Sequence, residues 1–197
     1  DCKGVPEEYI EGELQIMNKW DVILGLAIIS AIESISGRPH ATAASIYQAG
    51  VKDTQSMVDE QMAHRCPGAK LIGTGYLPNH RLEFYLHATV ERTRAHGAKV
   101  PVAVWEISKE DERNLDRYEG FPIYYIKAQR KVRMMDGSEL WGMIYLMNYL
   151  RISPPASEYY DGIETAYMKL GFTDDIETVL MPALDRSWQR KKQMSKR

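Results

Sequence analysis

The segment Asn114-Leu-Asp-Arg-Tyr-Glu-Gly-Phe121 holds the side chains best placed to move protons. Ser108-Lys-Glu-Asp111 reads as a helix N-cap followed three residues later by an acid, so the spacing predicts a short helix over about Lys109–Glu119 that stops at Gly120. Asp116 and Glu119 then fall near the negative end of the helix dipole, where an acid is disfavoured by roughly 0.3–1 kcal/mol. Glu119 lies four residues after Leu115, the apolar anchor of this helix, and so leans toward the packed side. A carboxylate kept in that place is a candidate general acid/base. The alternative is a carboxylate that reaches solvent or pairs with Arg113, Arg117 or Lys127.

Tyr124, Tyr125 and Tyr145 fall on strand-like segments near Glu119 in sequence or by pairing. Strand alternation sends Tyr124 and Tyr125 to opposite faces, so only one of them can line a given pocket with its hydroxyl. Core packing of both rings is the competing expectation. Five histidines, at 40, 64, 80, 87 and 96, show no metal-ligand spacing and no CxxC accompanies them, so no metal is expected. Gly73-Thr-Gly75 resembles the start of a dinucleotide fingerprint, but Pro78-Asn79 follows where a helix should open, which favours a hairpin. Neither a GxSxG nor a Walker sequence occurs.

The elements that must position these residues follow from periodicity and punctuation. Strands are expected over Lys70–Tyr76 and Arg81–Leu86, joined across Leu77-Pro-Asn-His80. A further strand is expected over Val100–Ile107, with Pro101 placing its start at an edge or end. Tyr124–Met134 and Glu139–Tyr149 flank the hairpin turn Asp136-Gly137. A helix is expected over Val58–His64, ended by Cys66-Pro67; Ser157 is expected to cap another that runs to about Leu170, and a last one runs from about Asp174 to Lys191. Residues 1–46 read as a helical appendage, with helices over Glu7–Asn18 and Asp21–Ile35. The fold class is therefore α+β: a small curled mixed sheet or barrel with flanking helices over 47–197, and all strands from Lys70 to Tyr149 in one sheet.

Composition narrows the partners. The chain has 197 residues, 44% of them hydrophobic, and a formal net charge of −2, so nothing marks nucleic acid as a partner. The basic run Arg186–Arg197 is expected to be a solvated or frayed tail. Cys2 and Cys66 cannot build a disulfide framework, and the apolar run Val22–Ile32 is too short to cross a bilayer; a cytoplasmic protein off the membrane is expected. That run should be covered by the main domain or a partner chain, making a homodimer or partner contact the expected use of the N-terminal helices. The absence of an initiating Met suggests a fragment or a processed chain.

Glu60-Gln-Met-Ala-His-Arg-Cys-Pro-Gly-Ala69, Val100-Pro-Val-Ala-Val-Trp105, Leu115-Asp-Arg-Tyr-Glu-Gly120 and Ile144-Tyr-Leu-Met-Asn148 together resemble the gamma-glutamylcyclotransferase-like, or AIG2-like, family from about Met57 to Phe172. The resemblance implies a small β-barrel with flanking helices and a cofactor-free reaction that converts gamma-glutamyl peptides or amines to 5-oxoproline and a free amine. It implies that Glu119 is the acid/base and that Tyr125 and Tyr145 line the substrate cavity. The family opens with a strand ending in Tyr-Gly-Ser-Asn, which holds the glutamyl group. At that spacing this sequence has Asp53-Thr-Gln-Ser56, so Thr54, Gln55 and Ser56 are the expected substrate-binding loop, with Tyr47-Gln-Ala-Gly50 as the alternative remnant. An enzymatically impaired relative that binds a small ligand or a protein through the same cavity is the other reading.

Overall fold

Valine-rich and isoleucine-rich runs supply the strands, and the residues that cannot extend them mark their ends. The computed structural model describes residues 27–31, 62, 65–148 and 151–196. The strands are β1 Ala27–Ala31, β2 Lys70–Pro78, β3 His80–Tyr85, β4 His87–Arg92, β5 Lys99–Glu106, β6 Tyr125–Met134 and β7 Glu139–Met147. Helix α1, Lys109–Tyr118, follows β5; α2 is Ser157–Lys169; a turn at Thr173–Asp175 and a π-helical stretch at Ile176–Leu180 lead into α3, Met181–Met194.

Five strands form a curled mixed sheet in the order β1-β5-β2-β6-β7, and β1 also pairs with β7 through Ile29–Ile144 and Ser30–Met143, so the two ends of the order meet. β1 runs parallel to β5, and the remaining pairs are antiparallel. Val100, Val102, Val104, Leu77, Val132 and Ile144 are buried at the centre of this sheet. At roughly 25 cal/mol per Å² of apolar surface, burial of these side chains is the main force that curls it. Pro101 lies just ahead of the stretch of β5 covered by β1, where its missing N–H costs no pairing on that side. The β6–β7 hairpin turns at Asp136-Gly137 as expected: Gly137 takes φ +84°, and Asp136 Oδ1 accepts from Ser138 N at 2.9 Å.

Several expectations change. The helix expected over Asp21–Ile35 is instead a strand at Ala27–Ala31, so the sheet draws on a segment inside the expected 1–46 appendage. A short, mostly apolar run suits a strand as well as a helix, and here pairing with β5 decides between them. The strands from Lys70 onward do not form one sheet: β3 and β4 make a separate two-stranded sheet, and β4 had no expectation attached to it. Gly73-Thr-Gly75 is no hairpin but lies inside β2, where a side chain at Gly75 would meet Arg133 O at 2.5 Å, so glycine admits the close approach of β6. Ser157 is the first residue of α2 rather than its cap; Ala156 occupies the cap, and the Ser157 hydroxyl turns to Glu158 Oε2 at 3.2 Å. The helices expected over Glu7–Asn18 and most of Val58–His64 lie outside the described residues.

The basic terminus also turns inward. Glu83 on β3 is completely buried, and its carboxylate receives Arg81 Nε at 2.9 Å, Arg186 Nε at 2.7 Å and Arg190 Nη1 at 2.7 Å. Arg186 and Arg190 stand one turn apart on α3 and also donate to Leu82 O and Phe84 O, at 2.6 and 2.8 Å. The helix is thus fastened to β3 by a charged clasp that the expected solvated tail did not include. Removing one partner of a buried charge set leaves the others uncompensated, at a cost of about 3–5 kcal/mol. Glu83→Gln should therefore lower the denaturant midpoint sharply without changing the urea m-value, whereas a shift below about 1 kcal/mol would show the clasp to be incidental.

Candidate active site

Helix α1 is defined at both ends by short-range chemistry. Ser108 Oγ accepts from Asp111 N at 3.1 Å, and Asp111 Oδ2 accepts from Ser108 N at 3.0 Å and from its hydroxyl at 2.7 Å. Burial works to raise the Asp111 carboxyl, but these hydrogen bonds, with one from Gly68 N, outweigh it and hold the group below the usual carboxylate range. At the other end Gly120 takes φ +60°, and the helix stops with Glu119 as its C-cap. Phe121 N then donates to Asp116 O at 2.9 Å, and Tyr124 N to Gly120 O at 3.0 Å, so the chain doubles back into β6.

That reversal sets where the expected site residues fall. Glu119 is buried, only 3% exposed, rather than directed to solvent. Tyr125 and Tyr145 are buried as well. In the β6–β7 register Tyr125 pairs with Met147 and Lys127 with Tyr145, and cross-strand partners and alternate residues share a face. Tyr125, Lys127 and Tyr145 therefore look the same way, toward α1. Tyr124 lies just ahead of β6 rather than within it as expected, and packs its ring against Gly120. Thr54, Gln55 and Ser56, and the alternative Tyr47–Gly50, lie outside the described residues.

Three charged or polar residues join this group without having been singled out as site residues. Lys127 Nζ lies 2.6 Å from Glu112 Oε1 and 2.6 Å from Asp116 Oδ1, and Asp116 Oδ1 also accepts from Tyr145 Oη at 2.6 Å. Partial burial works against the Lys127 charge, but its hydrogen bonds to Asp116 and Glu112 more than offset this and hold it above the usual lysine range. Lys127 was one expected partner for Glu119; its contacts at these distances go to the two acids one and two turns back. The signal available in the sequence was the i, i+4 pair Glu112–Asp116 on the face that also carries Leu115.

The Cys66 loop borders the other side. Arg65, nearly buried, stacks its guanidinium 3.7 Å above the Tyr118 ring and donates to the Tyr118 hydroxyl. Burial and the negative charges of Asp111 and Glu119 push the Cys66 thiol up to about 12, partly countered by Arg65. Glu119 also acts on Tyr145, whose phenol is raised well above the tyrosine range, first by burial and then by the hydrogen bond to Asp116. The charge of Glu119 thus bears on both Cys66 and Tyr145 from the end of α1. Among the described residues no group of three or more His, Cys, Asp or Glu side chains could hold a metal ion. No helix among them is long and apolar enough to cross a membrane.

A side chain at Gly120 would have to adopt the left-handed backbone and would meet Tyr124 Cδ2 at 2.5 Å. Gly120→Ala should therefore destabilise the protein by roughly 1–3 kcal/mol. Equilibrium denaturation checks this, and an unchanged midpoint would show that the turn does not depend on glycine.

With this geometry in view, the chain can be compared with known proteins. A solved gamma-glutamyl cyclotransferase superposes with a TM-score of 0.53 at 23% identity, over 68% of this chain and 79% of that one. An uncharacterized human protein gives the same TM-score, identity and coverage. At this identity the likeness is one of fold. No curated protein matches the sequence. Residues 53–162, more than half of the chain, match the family described as gamma-glutamyl cyclotransferase, AIG2-like, and the chain belongs to that family.

Proposed function

We propose that the protein is a cyclotransferase acting on gamma-glutamyl peptides or amines, with Glu119 as its single general acid/base. In such a substrate the α-amine can attack the side-chain carbonyl of the same glutamyl unit. A five-membered ring closes as 5-oxoproline, and the C–N bond to the leaving amine breaks. Proximity is supplied by the substrate itself. What remains for the protein is to take a proton from the attacking ammonium, return one to the leaving nitrogen, and stabilise the oxyanion between those steps. One carboxylate can serve both transfers in turn. The observation that carries the reading is the burial of Glu119 at the end of α1, with Tyr145 in its electrostatic reach.

By resemblance the oxyanion and glutamyl contacts fall to the loop carrying Thr54, Gln55 and Ser56. Here the sequence favours a second reading, because Asp53-Thr-Gln-Ser56 stands where the family has Tyr-Gly-Ser-Asn. Losing one oxyanion donor typically costs about 10²–10³-fold in rate. A chain with that loop altered would bind a small ligand or a partner with little turnover. Rebuilding positions 53–56 as Tyr-Gly-Ser-Asn separates the two: a rise from no turnover to robust 5-oxoproline release would identify the natural chain as a binder.

Glu119→Gln keeps the shape of the side chain and removes its titratable proton. Release of 5-oxoproline from gamma-glutamyl amides should fall by about 10²–10⁴-fold. Melting temperature should stay level or rise, since a charge at the negative helix end is removed. Unchanged turnover in this variant would exclude the role.

A further inference from the structure

His80 is a buried ring whose own hydrogen bonds fix its tautomer. Its Nδ1 lies 2.7 Å from Pro78 O, and a carbonyl oxygen can only accept, so Nδ1 carries the hydrogen. In the neutral ring Nε2 is then an acceptor, and it takes Arg130 Nε from β6 at 3.3 Å. Arg130 also donates from Nη1 to Gln129 O at 2.9 Å. The ring and the carbonyl together orient the guanidinium, and they leave three of its five N–H groups without a partner among the described residues.

Arg92 stands beside the same ring. It is the cross-strand partner of His80 in the β3–β4 sheet, and directly opposed residues share a face with Cβ atoms roughly 4.5–5.5 Å apart. One arginine from β4 and one from β6 therefore flank a single imidazole. Neither has an ion pair among the described residues, and Gly142, opposite Arg130 on β7, has no side chain to supply one. Glu91, next to Arg92, is on the other face of β4 and is held by Arg81 at 3.0 Å and Tyr85 at 2.8 Å. From Arg92 to Trp105 the chain has Arg94 and Lys99 but no Asp or Glu. An arginine does not shed its proton, so two of them without an acid repel each other. The ring registers this: burial, and then the charges of Arg130 and Arg92, hold His80 below the usual histidine range against the opposing effect of its bond to Pro78 O. A bridging dianion would remove the repulsion, and each planar guanidinium fork fits two oxygens of a tetrahedral oxyanion.

We infer that Arg92 and Arg130 form a binding site for a phosphate group, carried as the free ion or as a small phosphate monoester, and that His80 is the positioning residue that aims Arg130. The inference goes beyond the cyclotransferase reading and does not rest on it. Arg130 alternates with Tyr125 and Lys127 along β6 and so lies on the face away from α1, which makes this site separate from the candidate active site.

Calorimetry on the full chain at pH 7.5 and constant ionic strength, balanced with chloride, tests it with inorganic phosphate and glycerol 3-phosphate as probes. At least one probe should bind saturably at one site, and the tighter of the two identifies the source as free ion or monoester. Arg92→Gln and Arg130→Gln should each weaken binding by at least about 10-fold, as loss of a charge-assisted hydrogen bond allows. Arg92 is exposed and holds no hydrogen bond of the fold among the described residues, so its variant probes the site without disturbing its surroundings. Lys192→Gln makes the same change of charge at an exposed position of α3, which is fastened to Glu83 on the other face of β3, and should alter binding by less than about twofold. By NMR, bound phosphate should move the His80 titration to higher pH, because its negative charge offsets the two arginines. Absence of saturable binding by both probes, a loss in Lys192→Gln equal to that in the arginine variants, or a His80 titration that phosphate leaves in place overturns the inference.

Discussion

The left-handed turn at Gly120 is the constraint on which the candidate site depends. A helix that ran one turn further would carry the chain after Glu119 away from the start of β6 and separate β6 from α1. Stopping it at Gly120 lets Phe121 N close on Asp116 O and sends the chain directly into β6, with Tyr124 filling the space that a side chain at residue 120 would need. The acid is left as the cap of its helix, buried beneath the reversal. Its position in the helix dipole was legible in the sequence, and the left-handed turn at Gly120 fixes it there.

The same turn brings three charges into one balance. Glu112 and Asp116 occupy successive turns of α1 on the side that meets the sheet, and Lys127, two residues into β6, reaches both. Without Lys127 the two carboxylates would face each other at partial burial. With it, Asp116 has the lysine ammonium against both oxygens and accepts the Tyr145 hydroxyl from β7. Placement of the tyrosine hydroxyl is therefore a consequence of ion pairing between helix and hairpin. A separate clasp, Glu83 with Arg81, Arg186 and Arg190, holds α3 against the small β3–β4 sheet.

Features set by neighbouring residues could be read from the sequence, and those set by distant partners could not. Helix α1 was legible because Ser108, Asp111 and Gly120 act within one turn of its ends, and the β6–β7 hairpin because Asp136-Gly137 fixes its own register. Glu119 and Tyr145 were legible as candidates for the same reason and through their family motifs. The strand character of Ala27–Ala31 was not, because an apolar run of that length becomes a strand only by pairing with β5, more than seventy residues on. The division into two sheets, and the burial of Glu83 by arginines more than a hundred residues away, are likewise non-local. Asp116 and Lys127 were visible as charges, but their meeting depends on the helix folding back over the hairpin.

The central claim is that Glu119 serves an intramolecular cyclisation rather than attack by water. Turnover of a gamma-glutamyl amide in ¹⁸O-labelled water, read by mass spectrometry, tests it most directly. Cyclisation places no solvent oxygen in the product, so the account predicts 5-oxoproline free of ¹⁸O, released together with one equivalent of amine. Glutamate carrying one ¹⁸O would mean hydrolysis and would contradict it.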